Sequence, residues 1–226
     1  MKKHIVVLSG AGMSAESGLK TFRDSNGLWE GHDVMSVASP EGFAKNAALV
    51  LDFYNQRRRQ LLEVEPNQAH FDLAQLEKDF KVSIITQNVD DLHERAGSTN
   101  VIHLHGELLK SRNIETDAVI YECKTDICLG DKDPNGIQLR PHIVWFGEAV
   151  PLIDKALDIC QTADILIIIG TSLQVYPAAS LMHYVPEHIP KFYIDNNPAS
   201  TYDASIKVIA ERASIGVSKV IKALVE

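Results

Sequence analysis

Short, wholly apolar runs that stop at glycine or at a polar loop constrain this chain more than any other feature. Ile5-Val6-Val7-Leu8 is short enough to be a fully buried strand, and Gly10-Ala11-Gly12 follows it after one serine. Asp164 introduces a second such run, Ile165–Ile169, which ends in Gly170-Thr171-Ser172. With the first strand taken as His4–Leu8, further strand candidates are Val82–Thr86, Val101–Leu104 and Lys191–Ile194, and helical patterns fall between most of them. Strands alternating with helices predict an α/β fold whose mostly parallel sheet carries helices on both faces. Ligands of such sheets lie beyond the carboxyl ends of the strands. Gly10, Gln87, His105 and Gly170 each follow a strand end, so four separate segments are expected to meet at one crevice.

Two insertions interrupt the alternation, from Gly27 to about Glu65 and from about Leu108 to Leu139. The first contains a helix start at Ser39-Pro40, a capping serine with proline in the first turn. The second is rich in Asp, Lys, Gly and Asn. Both are expected to form a small module (about 28–65 and 108–139) beside a larger unit (about 1–27, 66–107 and 140–226), all within one catalytic core. The net charge of −8 favours neither nucleic acid nor an anionic membrane, and the local Arg57-Arg58-Arg59 cluster is too short to reverse that. No apolar run approaches the roughly 18 residues of a membrane span. Lys2-Lys3 mimics the start of a signal peptide, but Ile5–Leu8 falls short of the roughly 7–15 apolar residues needed. A cytoplasmic protein is expected. Three cysteines give no disulfide framework and fit a reducing compartment.

Candidate chemistry follows the strand ends. A strand closing on Gly-x-Gly brings bare backbone N–H groups close to an anion, because no Cβ obstructs the approach. Ala15 fills the third place of the dinucleotide fingerprint, where Gly or Ala is allowed. The same residues also suit a tight strand-to-helix turn without a ligand. His105 has the side chain best suited to take a proton at neutral pH, although a histidine at a strand end is often purely structural. His103 and His105, two apart on a strand, point to one face and could form a metal pair. Asn88 and Asp90 in Thr86-Gln87-Asn88-Val89-Asp90 could serve turn chemistry alone.

Five segments, taken in order, narrow these alternatives. They are GAGMSAESGLKTFR from Gly10 to Arg23, TQNVDDLHERAG from Thr86 to Gly97, HLHGEL from His103 to Leu108, RPHIVWFGE from Arg140 to Glu148, and GTSLQVYPAA from Gly170 to Ala179. The set resembles the sirtuins, the NAD-dependent protein deacylases, over nearly the whole chain. The resemblance implies a Rossmann-like large domain and a small domain that enclose NAD between them. It implies that His105 is the general base and that Asn88 and Asp90 hold the ribose and the nicotinamide amide; it implies little for His103, which is left as structural. Gly10, Ala11 and Gly12 would bind the pyrophosphate through main-chain N–H groups, and Gln87 would also bind the cofactor. Phe22 and Arg23 would cover the cofactor and exclude water, which matters because stray water would yield plain ADP-ribose. Gly170, Thr171 and Ser172 resemble the second nucleotide loop, and Asn197 and Ala213 the adenosine contacts. Val144, Phe146 and Gly147 would border the acyl-lysine tunnel and pair with a peptide backbone, which gives affinity without demanding a sequence.

The reaction so implied consumes NAD and an acyl-lysine protein or peptide, and yields free lysine, nicotinamide and 2′-O-acyl-ADP-ribose. Tyr54 and Arg57, three apart on a helix, share a face and match the class that prefers succinyl and malonyl groups. A guanidinium fork beside a phenol suits a terminal carboxylate. A conventional deacetylase, a mono-ADP-ribosyltransferase and a non-catalytic NAD or ADP-ribose sensor are the alternatives. One departure stands out. Most sirtuins carry two Cys-x-x-Cys pairs before the Val-Trp-Phe-Gly-Glu segment, whereas here that interval holds only Cys123 and Cys128, with Asn113 and Thr116 where the first pair would fall. Four soft or imidazole ligands are therefore lacking, and no structural zinc is expected. Cys160 reads as a buried small hydrophobe.

Overall fold

A computed structural model of the chain describes residues 2–20, 28–29, 31–200 and 203–225. Six strands form one parallel sheet in the order Ile206–Ile209, Lys191–Ile194, Ile165–Ile169, His4–Ser9, Lys81–Thr86, Val101–His103. The chain thus builds outward from the first strand in one direction, then returns to its other side and builds outward again. The reversal lies between His4–Ser9 and Ile165–Ile169. The helices that follow those two strands cover opposite faces of the sheet, and ligand crevices form at such a reversal.

The two runs that dominate the sequence sit at the centre of this sheet, which explains why they are apolar at every position. Val6, Leu8, Leu166 and Ile168 face one side, against Ala156 and Cys160 of the helix Ile153–Gln161 and Leu181 beyond it. Ile5, Val7, Ile165 and Ile167 face the other, against Leu73 of the helix Gln68–Leu76 and Val217 and Val220 of the helix Ala213–Val225. Alternation along each strand sends successive side chains to opposite faces, so a strand covered on both sides needs no polar position. Each fully buried Ile or Leu contributes about 1.5–3 kcal/mol by leaving water. The strand Ile206–Ile209 was not anticipated. It is an edge strand with Lys207 and Val208 exposed, so it lacks the continuous apolar signature of its neighbours.

A second, antiparallel sheet is formed by Gly106–Asn113, Ile120–Glu122 and Leu139–Ile143. It takes in residues past the expected end of the second insertion at about 139. The long helix Ala47–Glu63 packs Val50, Phe53, Tyr54 and Leu61 against Leu108, Ile143 and Trp145. Before it, Ser39 caps the helix Pro40–Lys45, its hydroxyl accepting from the Gly42 amide at 2.9 Å. Among the described residues no helix is long and apolar enough to cross a membrane.

Beneath the crevice lies a pair of buried histidines, His70 and His93, whose rings meet edge to face at 4.9 Å. The Asn67 amide donates to His70 Nδ1, and Ser9 Oγ pairs with His93 Nε2. Burial pushes His70 down to about 4 and His93 well below the ordinary histidine value. An unfolded chain takes up a proton near pH 6.5 that folded His70 refuses until about 4. Stability therefore falls as pH drops through that window, by up to about 3 kcal/mol for His70 alone. His70→Gln is expected to flatten this slope, read as the urea midpoint at pH 7 and pH 4.5. Equal acid shifts in both proteins would refute the assignment.

Candidate active site

Backbone approach, more than side chains, shapes the floor of the crevice. Gly170 adopts φ +61, and a Cβ there would lie 2.3 Å from the Met13 amide nitrogen. A Cβ on Gly12 would lie 2.7 Å from Gly170 Cα, and one on Gly10 2.8 Å from Gly170 O. The two glycine loops are thus pressed backbone to backbone across the sheet's reversal point. Their amides follow suit: Gly10 N–H donates to Ile169 O at 2.9 Å and Gly12 N–H to Gly170 O at 2.8 Å. The Gly10 and Gly12 donors, expected to meet a pyrophosphate, here join the two loops. The Ala11 amide has no acceptor among the described residues and remains the donor suited to an anion.

His105 stands at the end of Val101–His103, one residue before the antiparallel sheet. Gly106 makes that transition at φ +83, where a Cβ would come within 2.1 Å of His142 O. His105 Nδ1 lies 3.1 Å from the Gln87 carbonyl oxygen, which can only accept. Nδ1 therefore carries the hydrogen, and Nε2 keeps its lone pair. Burial lowers the His105 pKa, with the Gln87 carbonyl opposing, so the ring is neutral at pH 7. A half-buried imidazole with one nitrogen anchored and the other basic is built to accept a proton. His103 is the reverse case. Its nitrogens meet Asn88 O at 3.0 Å and Glu94 Oε1 at 2.7 Å, two acceptors, so both must donate. Burial disfavours that charge, but the Glu94 carboxylate outweighs it and raises the pKa. His103 is thus a structural imidazolium that holds the Asn88 backbone, and it forms no metal pair with His105.

Asn88 and Asp90 are linked by Ser14. Asn88 Nδ2 donates to Ser14 Oγ at 3.1 Å, and that hydroxyl donates to Asp90 Oδ2 at 2.9 Å. Burial pushes the Asp90 carboxyl up to about 6, with Ser14 and the Leu92 amide opposing. Gln87, Thr171 and Asn197 are tied in similarly. Gln87 Nε2 donates to Thr171 Oγ1 at 3.1 Å, and the Asn197 amide to Asp195 Oδ1 at 2.8 Å.

On the opposite wall, Val144 donates its amide to His105 O at 2.9 Å, which brings the Val144–Gly147 turn beside the base. The Glu148 carboxylate holds that turn, accepting from Trp145 N at 2.8 Å and from Arg140 Nη1 at 2.7 Å. Tyr54 is fully buried, and its hydroxyl accepts from Trp145 Nε1 at 3.0 Å. The Arg57 guanidinium lies 3.5 Å over the Phe53 ring and donates to the Phe53 carbonyl.

All of these segments line one cavity of about 770 Å³. Gly10, Ala11, Gly12, Gln87, Asn88, Asp90, His105, Gly170, Thr171, Ser172, Asn197 and Ala213 face it, as do Tyr54, Arg57, Val144, Phe146 and Gly147. Phe22 and Arg23 lie outside the described residues. Ser14 and Trp145 line it too and were not anticipated. Each lay inside a quoted motif, but nothing in the sequence disclosed the bonds they make. The volume is within the range of small-molecule sites, and the Ala11 amide with the Asn88–Ser14–Asp90 chain offers polar groups suited to a dinucleotide.

Around Asn113 and Thr116, where the sequence resemblance leads one to expect a cysteine pair, the chain makes turns. Asn113 Oδ1 accepts from the Glu115 and Thr116 amides, and its Nδ2 donates to Asp133 Oδ2 at 2.9 Å. Cys123 is buried, with its Sγ directed at Thr125 O, and Cys128 is exposed. Among the described residues no group of three or more potential ligands gathers, and this donor set does not fit a structural zinc.

Residues 10–177 match the model of the Sir2 family. A protein of Helicobacter pylori named NAD-dependent protein deacylase is 55% identical over 225 residues, covering 99% of this chain and 98% of that one. A Bacteroides thetaiotaomicron protein of the same name is 54% identical over 230 residues, covering 99% and 98%. Among solved structures, a Sir2 homologue in complex with NAD superposes with a TM-score of 0.87 at 39% identity, covering 99% of this chain and 91% of that one.

Proposed function

Because the chain belongs to the Sir2 family, and its relatives over nearly their full length are NAD-dependent protein deacylases, we propose that it is an NAD-dependent protein-lysine deacylase whose preferred acyl groups are succinyl and malonyl. NAD is the co-substrate. The observation that carries the reading is His105, with Nδ1 held by Gln87 O and Nε2 left basic in the shared cavity. Once the acyl oxygen has joined the ribose, His105 Nε2 removes a proton from a ribose hydroxyl, which then attacks the acyl carbon. Asn88 and Asp90 hold the ribose and the nicotinamide amide, and the Val144–Gly147 turn receives the peptide backbone. Nicotinamide leaves as the acyl oxygen joins the ribose; one water then adds to the acyl carbon and the lysine amine departs, so the products are free lysine, nicotinamide and 2′-O-acyl-ADP-ribose.

The acyl preference is supported by Tyr54 and Arg57 on one wall of that cavity. A phenol and a guanidinium can bind a carboxylate that an acetyl group lacks. Mass spectrometry of the products formed from NAD and matched acetyl-, succinyl- and malonyl-lysine peptides tests both levels. The expected result is acyl-ADP-ribose from all three, fastest from succinyl and malonyl. Transfer of ADP-ribose to protein in place of deacylation would overturn the reading. Preference for acetyl would overturn the acyl assignment alone.

A further inference from the structure

We infer that Trp145 is a specificity-determining residue, which orients the Tyr54 hydroxyl so that its proton is offered to the acyl group; the inference rests on the acidic-acyl reading above. A phenol oxygen can both accept and donate, whereas an indole N–H can only donate. At 3.0 Å the Trp145 N–H occupies a lone pair of Tyr54, and the Tyr54 proton has no acceptor among the described residues. Both side chains are buried in the same cluster, so bulk water does not set the hydroxyl's direction. The cavity supplies the place for an acceptor, and Arg57 shares that wall. Burial raises the phenol's pKa, which keeps the proton in place.

The donor is itself fixed. Arg140 lies 3.2 Å over the Trp145 ring, and its two terminal nitrogens reach Glu148 at 2.7 and 3.1 Å. The same carboxylate accepts the Trp145 amide, so ring and backbone are held together. A cation over the indole face strengthens the N–H as a donor. An acetyl group carries no carboxylate to meet the Tyr54 proton, so the effect of Trp145 should appear in the ratio of the two activities.

The test measures kcat/KM on succinyl- and acetyl-lysine peptides of one sequence for the wild type, Trp145→Phe, Tyr54→Phe, the double variant and Arg57→Met. Trp145→Phe is expected to lower the succinyl-to-acetyl ratio about fivefold or more, the scale of one buried hydrogen bond. The double variant should be no worse than Tyr54→Phe alone. Equal losses on both peptides, or full additivity, would overturn the inference. With only two tryptophans in the chain, the Trp145 indole proton can also be followed by NMR in the wild type. It should shift on adding succinyl peptide but not acetyl peptide, which keeps the idea open to refutation even if Trp145→Phe folds poorly. If Arg57→Met lowers the ratio and Trp145→Phe does not, the role of Trp145 alone fails. If neither lowers it, the acidic-acyl reading fails with it.

Discussion

Replacing His105 by alanine is expected to lower kcat for deacylation by about a hundred- to ten-thousand-fold, the usual contribution of a positioned general base. The expectation follows from the fixed tautomer. The Gln87 carbonyl holds Nδ1–H, and Nε2 is left as a base at the cavity. Since burial lowers the pKa, the active neutral ring persists below the ordinary histidine value near 6.5, and the acid limb of kcat/KM should lie below that pH. NAD binding, read by calorimetry, should survive in the variant, because the imidazole meets the nucleotide segments only at the Gln87 carbonyl, and the Gln87 side chain stays held by Thr171. A variant that turned over at the wild-type rate would remove the foundation of the proposed chemistry. An acid limb well above 6.5 would contradict the electrostatics.

The second large effect concerns Arg57. Arg57→Met is expected to lower the succinyl-to-acetyl ratio of kcat/KM by about a hundredfold, equivalent to about 3 kcal/mol, because a carboxylate in a buried site would lose its charged partner. Methionine keeps much of the side chain's length and its contact with Phe53 while removing the charge. Mass-action effects on NAD cancel in the ratio, so the measurement isolates the acyl group. A drop shared equally by both peptides would mean that Arg57 supports the cavity's shape and binds no carboxylate.

How far the sequence reached can be judged at particular residues. Ile5–Leu8 and Ile165–Ile169 announced themselves as buried strands because both faces of the sheet are covered and no position tolerates a polar side chain. The edge strand Ile206–Ile209 did not, since one of its neighbours is solvent. Gly10, Gly12 and Gly170 were noticed as glycines, but for an incomplete reason. Their lack of a Cβ serves loop-to-loop contact, and the partner of that contact lies some 160 residues away in the chain (10 to 170).

What the residues alone determined is the alternation of strand and helix, the segments that end at the crevice, and the proton-accepting candidate among them. These are local properties, carried by apolar periodicity and by side-chain chemistry at strand ends. What only the tertiary structure decided is which nitrogen of His105 is free, that His103 is charged and structural, that Ser14 joins Asn88 to Asp90, and that Trp145 meets Tyr54. Each depends on a hydrogen bond between groups distant in sequence. The direction of such a bond is set by which atoms folding brings within about 3 Å, and no spacing along the chain encodes that.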